Sequence, residues 1–372
     1  MNRPLTNTEL KERLIDTIAL LSVPGVGKGR FHKLVKQFGS PSAALSAPVY
    51  ELEATPGISH TIAAAIRTSG DREPARATYA RIVQLGWDIL YPEHPEYPKQ
   101  LHNLHDMPPL LFRMGQGTSS DEKMIAIVGT RHASEKGKQF AYNLAIDLVH
   151  SGVTVVSGMA EGIDAAAHLG ALEASGRTVA VWGTPLNVIY PPIHRPLAEK
   201  IMKQGAIYSE YLPEDNSDPG HFPERNRIIS GLSEGIVVIE AGKKSGALIT
   251  AKLALDQGKE LFAVPGWPDA GTSLGTNELI KKGAKLLTSV TDIFDELPRL
   301  KGEVTAHKFQ SLPELTETEK GIVAALSSGP MQVDNLSRTS GLTIPDLLEL
   351  LLALELKGIV EELSGKRFTL ID

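Results

Sequence analysis

The residues that could do chemistry gather in a set of glycine-bearing turns in the middle of the chain. They are Gly129-Thr130-Arg131, Ser157-Gly158, Gly183-Thr184-Pro185, Gly242-Lys243-Lys244-Ser245-Gly246 and Pro265-Gly266. Each follows a short run of apolar, often β-branched residues, the pattern of a strand that ends in a tight turn. Such turns point backbone N–H groups outward, and a helix starting there adds the positive end of its dipole, so they hold anions. Cations fall in or beside them at Arg131, Arg225, Arg227, Lys243 and Lys244, and Phe222 offers an aromatic face. A row of anion sites with cations and an aromatic interleaved suits a chain of phosphates that carries bases, as in a single-stranded nucleic acid. Taken singly, each loop is an ordinary strand-to-helix turn; the combination points to the polymer.

The elements that must position these turns are legible in the periodicity. Residues 124–128 read as a strand. Ala141, Leu144, Ala145, Leu148 and Val149 then recur on one helix face, Gly152 stops that helix, and residues 153–156 read as a second strand. Further strands are expected at 178–181, 206–209, 236–239, 261–264 and 285–287, with helices at 165–173, 195–204, 247–257 and 278–282 between them. A polar loop at 214–221 leads into the segment Phe222-Pro223-Glu224-Arg225-Asn226-Arg227-Ile228-Ile229, to which no element is assigned. Strands alternating with helices mean an α/β fold, an open parallel sheet covered on both faces, with its strand-end turns in a row.

Nucleotide cofactors fit these loops poorly. A dinucleotide site needs G-x-G-x-x-G after the first strand and an acid at the end of the second. Here the first turn has one glycine and then Arg131, and the second strand ends in Ser157-Gly158. The P-loop pattern G-x-x-x-x-G-K-[ST] does not occur in the sequence. No cofactor is expected.

Two flanking regions frame the sheet. Residues 1–75 read as a helical, SAM/helix-hairpin-helix-like domain. Val23-Pro24-Gly25-Val26-Gly27 forms a hairpin turn followed by Lys28, Arg30, Lys33 and Lys36, and Thr55-Pro56-Gly57-Ile58-Ser59 is a weaker copy in which Ser59 replaces the second glycine. Such turns either hold duplex phosphates or simply join packed helices. Residues 76–122 form a connector with one strand candidate at 87–91 and a proline-rich extended stretch. His94, His102 and His105 lie in it without metal-ligand spacing and are expected to be solvated. Residues 123–297 make up the sheet domain and 298–314 a linker. Residues 315–372 give three helices and a hairpin, a winged helix. Its third helix, 344–356, carries three acids and no base, which suits protein contact better than base reading.

Composition sets the outer bounds. The chain has 372 residues, 42% hydrophobic and 22% charged, which is ordinary for a globular protein. It contains no cysteine, which excludes disulfides and thiolate chemistry. No apolar run is long enough to span a bilayer, so a cytoplasmic protein without membrane attachment is expected. The net charge of −6 is unevenly spread: residues 1–113 carry 13 Lys/Arg against 11 Asp/Glu, residues 114–311 carry 20 against 23, and residues 312–372 carry 5 against 10. A phosphate-binding surface must therefore be local, and the C-terminal segment is the poorest place for it.

Six stretches together resemble the DNA-processing protein A (DprA/Smf) family: Ile127–Arg131, Val156–Asp164, Phe222–Ile229, Glu240–Gly246, Ala263–Gly266 and Asn277–Ala284. They run through the whole central domain, and the helical N-terminus and winged helix also match the longer members. The resemblance implies an extended Rossmann-like domain that binds single-stranded DNA without sequence preference. It also implies a dimer, and loading of the RecA recombinase onto incoming DNA during natural transformation. Carried over by motif, Arg131 would hold a backbone phosphate, with Thr130 beside it and Gly129 and Gly158 allowing close approach. Phe222 would stack on a base, and Arg225, Asn226, Arg227, Lys243, Lys244, Ser245 and Gly246 would line the groove. The dimer face would fall around Asn277, Ile280 and Leu286.

The rival is an enzyme, a nucleotide phosphoribohydrolase of the lysine-decarboxylase-like group, which shares the fold and similar glycine turns. After Gly246 the chain runs Ala247-Leu248-Ile249-Thr250, without the carboxylate that group uses. Asp164 and His168, spaced i and i+4, could pair as an acid/base dyad. Otherwise Asp164 caps its helix and His168 packs against it. The expectation is a binding protein without catalytic residues.

Overall fold

The computed structural model describes residues 6–69, 72–117, 123–301, 316–327, 329–356, 359–363 and 365–370. They form two compact units, within Met1–Glu303 and Val304–Asp372. The N-terminal helices, the connector and the sheet therefore belong to one body. Most of the linker expected at 298–314 lies outside the described residues. Its start, Pro298–Leu300, is a 3-10 turn of the first unit, with Leu300 buried.

The chain opens with α1 (Asn7–Leu21), α2 (Lys28–Phe38), α3 (Pro41–Ser46), α4 (Val49–Glu53), α5 (His60–Thr68) and α6 (Glu73–Gln84). The α1–α2 and α4–α5 turns have the same backbone. Gly25 and Gly57 take φ of +86° and +89°, where a side chain would be strained. Val26 N donates to Val23 O at 2.9 Å and Ile58 N to Thr55 O at 3.0 Å. The missing glycine of the second turn is no defect. Gly27 and Ser59 are both extended N-cap residues, a position serine favours, and Ser59 Oγ accepts from Ile62 N at 3.4 Å.

The sheet follows: β1 (Asp88–Leu90), β2 (Leu111–Gly115), β3 (Met124–Val128), α7 (Glu135–His150), β4 (Thr154–Ser157), α8 (Ile163–Glu173), β5 (Thr178–Val181), α9 (Arg195–Gln204), β6 (Ala206–Ser209), α10 (His221–Leu232), β7 (Gly235–Val238), α11 (Ala247–Asp256), β8 (Glu260–Ala263), α12 (Leu274–Lys281), β9 (Lys285–Leu286) and α13 (Val290–Glu296). Among the described residues the strand order is β1-β2-β6-β5-β4-β3-β7-β8-β9. From β6 to β9 all neighbours are parallel, whereas β2 runs antiparallel to β6 and β1 antiparallel to β2. The proline-rich stretch of the connector thus ends in a strand of the sheet itself, with Leu111, Phe112 and Arg113 buried.

Alternate residues of each strand serve the two faces. Ile125, Ile127, Val155 and Val237 pack with α7, α8 and α13, while Ala126, Val128, Ile236 and Val238 pack with α10 and α11. Helix α10 occupies the unassigned stretch around Phe222–Ile229. Pro223 masks it in the sequence, yet a proline in the first helical turn costs no hydrogen bond.

The second unit holds α14 (Glu317–Leu326), β10 (Met331–Gln332), α15 (Val333–Ser340), α16 (Ile344–Leu356), β11 (Val360–Leu363) and β12 (Arg367–Leu370), with strand order β10-β12-β11. Leu347, Leu351 and Leu354 of α16 join Ile322, Leu336 and Phe368 in its core. Among the described residues, no helix is long and apolar enough to cross a membrane.

Candidate nucleic-acid interface

Strand order reverses between β3, which pairs with β4 on one side, and β7 on the other. Loops leaving such a switch point diverge and open a crevice at the carboxyl edge of the sheet. The β3 and β7 loops are tied at their base, where Thr130 N donates to Glu240 O at 2.7 Å. Above that tie lies a cleft of about 500 Å³. Gly129, Thr130 and Arg131 form one wall, Phe222, Arg225 and Asn226 of α10 another, and Ser245 and Gly246 at the start of α11 the third.

Two of the backbone cradles that the sequence offers to phosphates are filled from within. Asp164 Oδ2 accepts from Gly158 N at 3.2 Å and Ala160 N at 3.4 Å, closing the β4–α8 turn. Glu240 occupies the N-terminus of α7, taking Ser134 N at 2.9 Å and the Ser134 hydroxyl at 2.6 Å. A phosphate cannot share either position with a carboxylate already there. The N-terminus of α11 carries no carboxylate: the Ser245 hydroxyl oxygen accepts from Ala247 N at 3.3 Å, Gly246 is exposed, and a Cβ added there would meet nothing within 4 Å. What the cleft could still offer an anion is its side-chain cations and the uncharged α11 terminus.

The glycines of the first two turns answer to packing. A Cβ on Gly129 would lie 2.4 Å from Ile163, and one on Gly158 would lie 2.6 Å from Arg225 and 2.8 Å from Asp164. Arg225 and Asp164 face each other across Gly158 in the floor of the cleft, both nearly inaccessible. Burial pushes the Arg225 guanidinium down to about 10, opposed by the Asp164 charge. Burial likewise raises the Asp164 carboxyl, opposed by Arg225. Arg225 Nη1 also donates to Gly158 O at 3.0 Å, which fixes its plane.

The exposed chemistry sits at the mouth. The Arg131 guanidinium lies 5.7 Å from the Phe222 ring centroid, a cation–π contact. Tyr190, which the sequence reading did not single out, packs its ring 5.2 Å from that of Phe222 and is 45% exposed. Its signal was its place, an aromatic in the loop after β5 and so in the same row of turns. Phe222 is backed by Gly183, where a Cβ would come within 2.8 Å of the ring.

Other expected site residues lie elsewhere. Arg227 is buried and paired with Glu210 at 2.6 Å and Asp106 at 2.8 Å, on the side of α10 away from the cleft. Lys243 and Lys244 are exposed on the β7–α11 loop but do not line the cleft. Asn277 clamps the β8–α12 loop, donating to Gly266 O at 2.9 Å and accepting from Gly266 N at 3.2 Å. Ile280 is half-buried, and Leu286 on edge strand β9 is 49% exposed. Asp164 and His168 form no dyad. His168 is buried and donates from Nδ1 to Thr178 Oγ1 at 2.7 Å, since that hydroxyl gives its own proton to Val155 O. In the hairpins, Lys28 pairs with Glu210 and Glu224, while Arg30 donates to Gly25 O and Gly57 O. In the connector, His94 and His102 pack against Tyr91 and Tyr97.

Comparison with known proteins gives this geometry its context. The family described as DNA recombination-mediator protein A matches residues 88–298, and the DprA winged helix domain matches residues 306–366. The chain is 35% identical to protein Smf of Synechocystis sp. over 315 residues, covering 75% of this chain and 79% of that protein. The structure of DNA processing protein A from Streptococcus pneumoniae aligns with a TM-score of 0.66 at 31% identity, covering 79% of this chain and 99% of that one. That of DNA processing protein A from Helicobacter pylori, described for its single-stranded DNA binding mode, aligns with a TM-score of 0.52 at 31% identity over 57% of this chain and 96% of that one. With two family domains matched in order and a relative covered over most of its length, the chain belongs to the DNA-processing protein A (DprA/Smf) family.

Proposed function

We propose that this protein binds single-stranded DNA without regard to sequence, through the cleft at the carboxyl edge of its sheet. The carrying observation is the Arg131 guanidinium over Phe222, beside the exposed Tyr190, in a cleft whose backbone cradles Asp164 and Glu240 already fill. A mononucleotide or dinucleotide site would keep those cradles open for its phosphates. A flexible strand needs only exposed cations to track its backbone and rings for its bases. Arg131, Lys243, Lys244 and the α11 terminus at Ser245–Gly246 are the phosphate contacts in this reading. Tyr190 and Phe222 are the stacking faces, and Thr130 and Asn226 line the cleft beside them. Arg225 holds the floor, and Arg227 is structural.

The family relationship supports the wider role: a cytoplasmic, non-enzymatic protein that protects incoming DNA and loads RecA during natural transformation. It works as a homodimer through Asn277, Ile280 and Leu286. The buried, singly bonded His168 offers no reachable acid or base for the phosphoribohydrolase reading.

The test is a titration with labelled single-stranded and duplex oligonucleotides across a salt series. Single strands bind more tightly, and log affinity falls with log salt by roughly 0.7 per neutralised phosphate. Arg131→Ala weakens binding to all sequences alike and makes that slope shallower by about one phosphate's share. Equal affinity for duplex and single strand, or steady base release from nucleoside monophosphates, overturns the reading.

A further inference from the structure

Trp267 is the most exposed large apolar side chain among the described residues, 80% accessible on the loop between β8 and α12. Indole surface on that scale is costly to leave in water, and here it is held out on a stiff support. Pro265 and Pro268 bracket it, Asn277 clamps Gly266 on both its N–H and its carbonyl, and Ala270 N donates back to Trp267 O at 3.1 Å. A ring presented this way loses little freedom when something stacks on it.

Its place in the fold says what that something is. Strand β8 lies beside β7, and β7 beside β3, so the Trp267 loop stands two strands along the carboxyl edge from Arg131. At about 4.8 Å per strand that is about 10 Å, a step of one or two nucleotides. The loop is seated on the base of the lysine loop: Gly275 N donates to Ala241 O at 2.7 Å, and a Cβ on Gly242 would meet Gly271 O at 3.3 Å. Lys243 and Lys244, both exposed and outside the cleft, therefore fall between the cleft and the indole. Cations followed by a ring on one edge continue the pattern of the cleft beyond its wall.

We propose that Trp267 is a second base-stacking subsite, taking a base of the same strand after its backbone has passed Lys243 and Lys244. The inference rests on the single-strand reading and extends it: the cleft holds a short segment, and the Trp267 edge engages only a strand long enough to leave it. The occupant is a base of any sequence, because every base has a π-face.

The test uses the full chain with labelled oligothymidylates of about 2 and about 20 nucleotides, lengths that bracket a single-fold site, the shorter one filling the cleft without the further step to the indole. Trp267→Ala weakens the long oligonucleotide roughly tenfold, within the range for one stacked base, and leaves the short one within roughly twofold. Trp267→Phe restores most of the loss, and neither variant alters the salt slope, since no charge is removed. Intrinsic fluorescence is a second readout. Trp87 and Trp182 are 5% and 2% exposed, so the quenching caused by the long strand belongs to Trp267 and is absent with the short one. No loss on the long strand, or equal losses on both lengths, overturns the subsite. A Trp267→Ala chain that sediments as a monomer where the parent is a dimer also overturns it, in favour of a second copy covering the ring. Failure of the parent chain to bind either oligonucleotide removes the single-strand reading itself, a result distinct from these.

Discussion

Lys28 Nζ lies 3.4 Å from Glu210 Oε1, and the side chain of that glutamate is 2% exposed. The lysine that closes the first hairpin turn is thus directed into the protein, where it also meets Glu224 at 3.2 Å and stands 5.4 Å from the Tyr211 ring centroid. Arg30 bridges the carbonyls of the two hairpin turns, and Lys33 reaches Pro56 O. Three of the four basic residues that the sequence offered to a duplex, Lys28, Arg30 and Lys33, hold the hairpins to each other and to the sheet. Lys28→Ala should lower stability by about 1 kcal/mol, as for a partly exposed ion pair, and leave duplex affinity unchanged. Thermal melts and a duplex titration of the same variant check both halves. A weaker duplex affinity with a shallower salt slope would return the hairpin to DNA contact.

Arg225 and Arg227 show where sequence reading stops. They stand two residues apart in a motif read as one groove lining, and on a helix two residues apart face different ways. Arg225 turns to Gly158 and the cleft floor, Arg227 to Glu210 and Asp106. Strands β3, β4, β5, β7 and β8 were legible because each is an apolar run ended by a glycine turn. Helix α10 was not, because Pro223 and two arginines break its apolar stripe and its partners lie far away in the chain. The filled cradles were equally hidden: Glu240 follows β7 as a nucleotide-binding acid would, and only the fold brings it to Ser134.

Arg227→Gln should therefore act on stability rather than on DNA. It leaves Glu210 buried with only Lys28 beside it, and breaking a buried pair costs about 3–5 kcal/mol. The slope of log affinity against log salt, measured below the melting temperature, stays at the parent value because no phosphate contact is lost. A shallower slope with unchanged stability would place Arg227 in the groove after all.

His168 gives the fold an acid-sensitive limb. Burial, with the charges of His194 and Arg225 adding to it, holds its imidazole down to about 3, against an ordinary value of 6.5. Its Nδ1–H is given to Thr178, and Nε2 has no hydrogen-bond partner, so the neutral ring is the form that fits. The sign follows from proton uptake. Below about pH 6.5 the unfolded chain takes up a proton that the folded chain refuses until about 3, so stability falls by about 1.4 kcal/mol per pH unit across that window. Asp164 acts the other way, because its raised carboxyl holds a proton more tightly when folded and so favours the fold as pH drops through its own range. The first pH unit below 6.5 is where the histidine limb stands out, before ordinary carboxylates titrate. Denaturant midpoints at about pH 7.5 and about pH 5.5 should differ for the parent chain and converge for His168→Asn, whose amide nitrogen takes the place of Nδ1 and donates to Thr178 without titrating. An unchanged gap in the variant would assign the acid sensitivity to other groups.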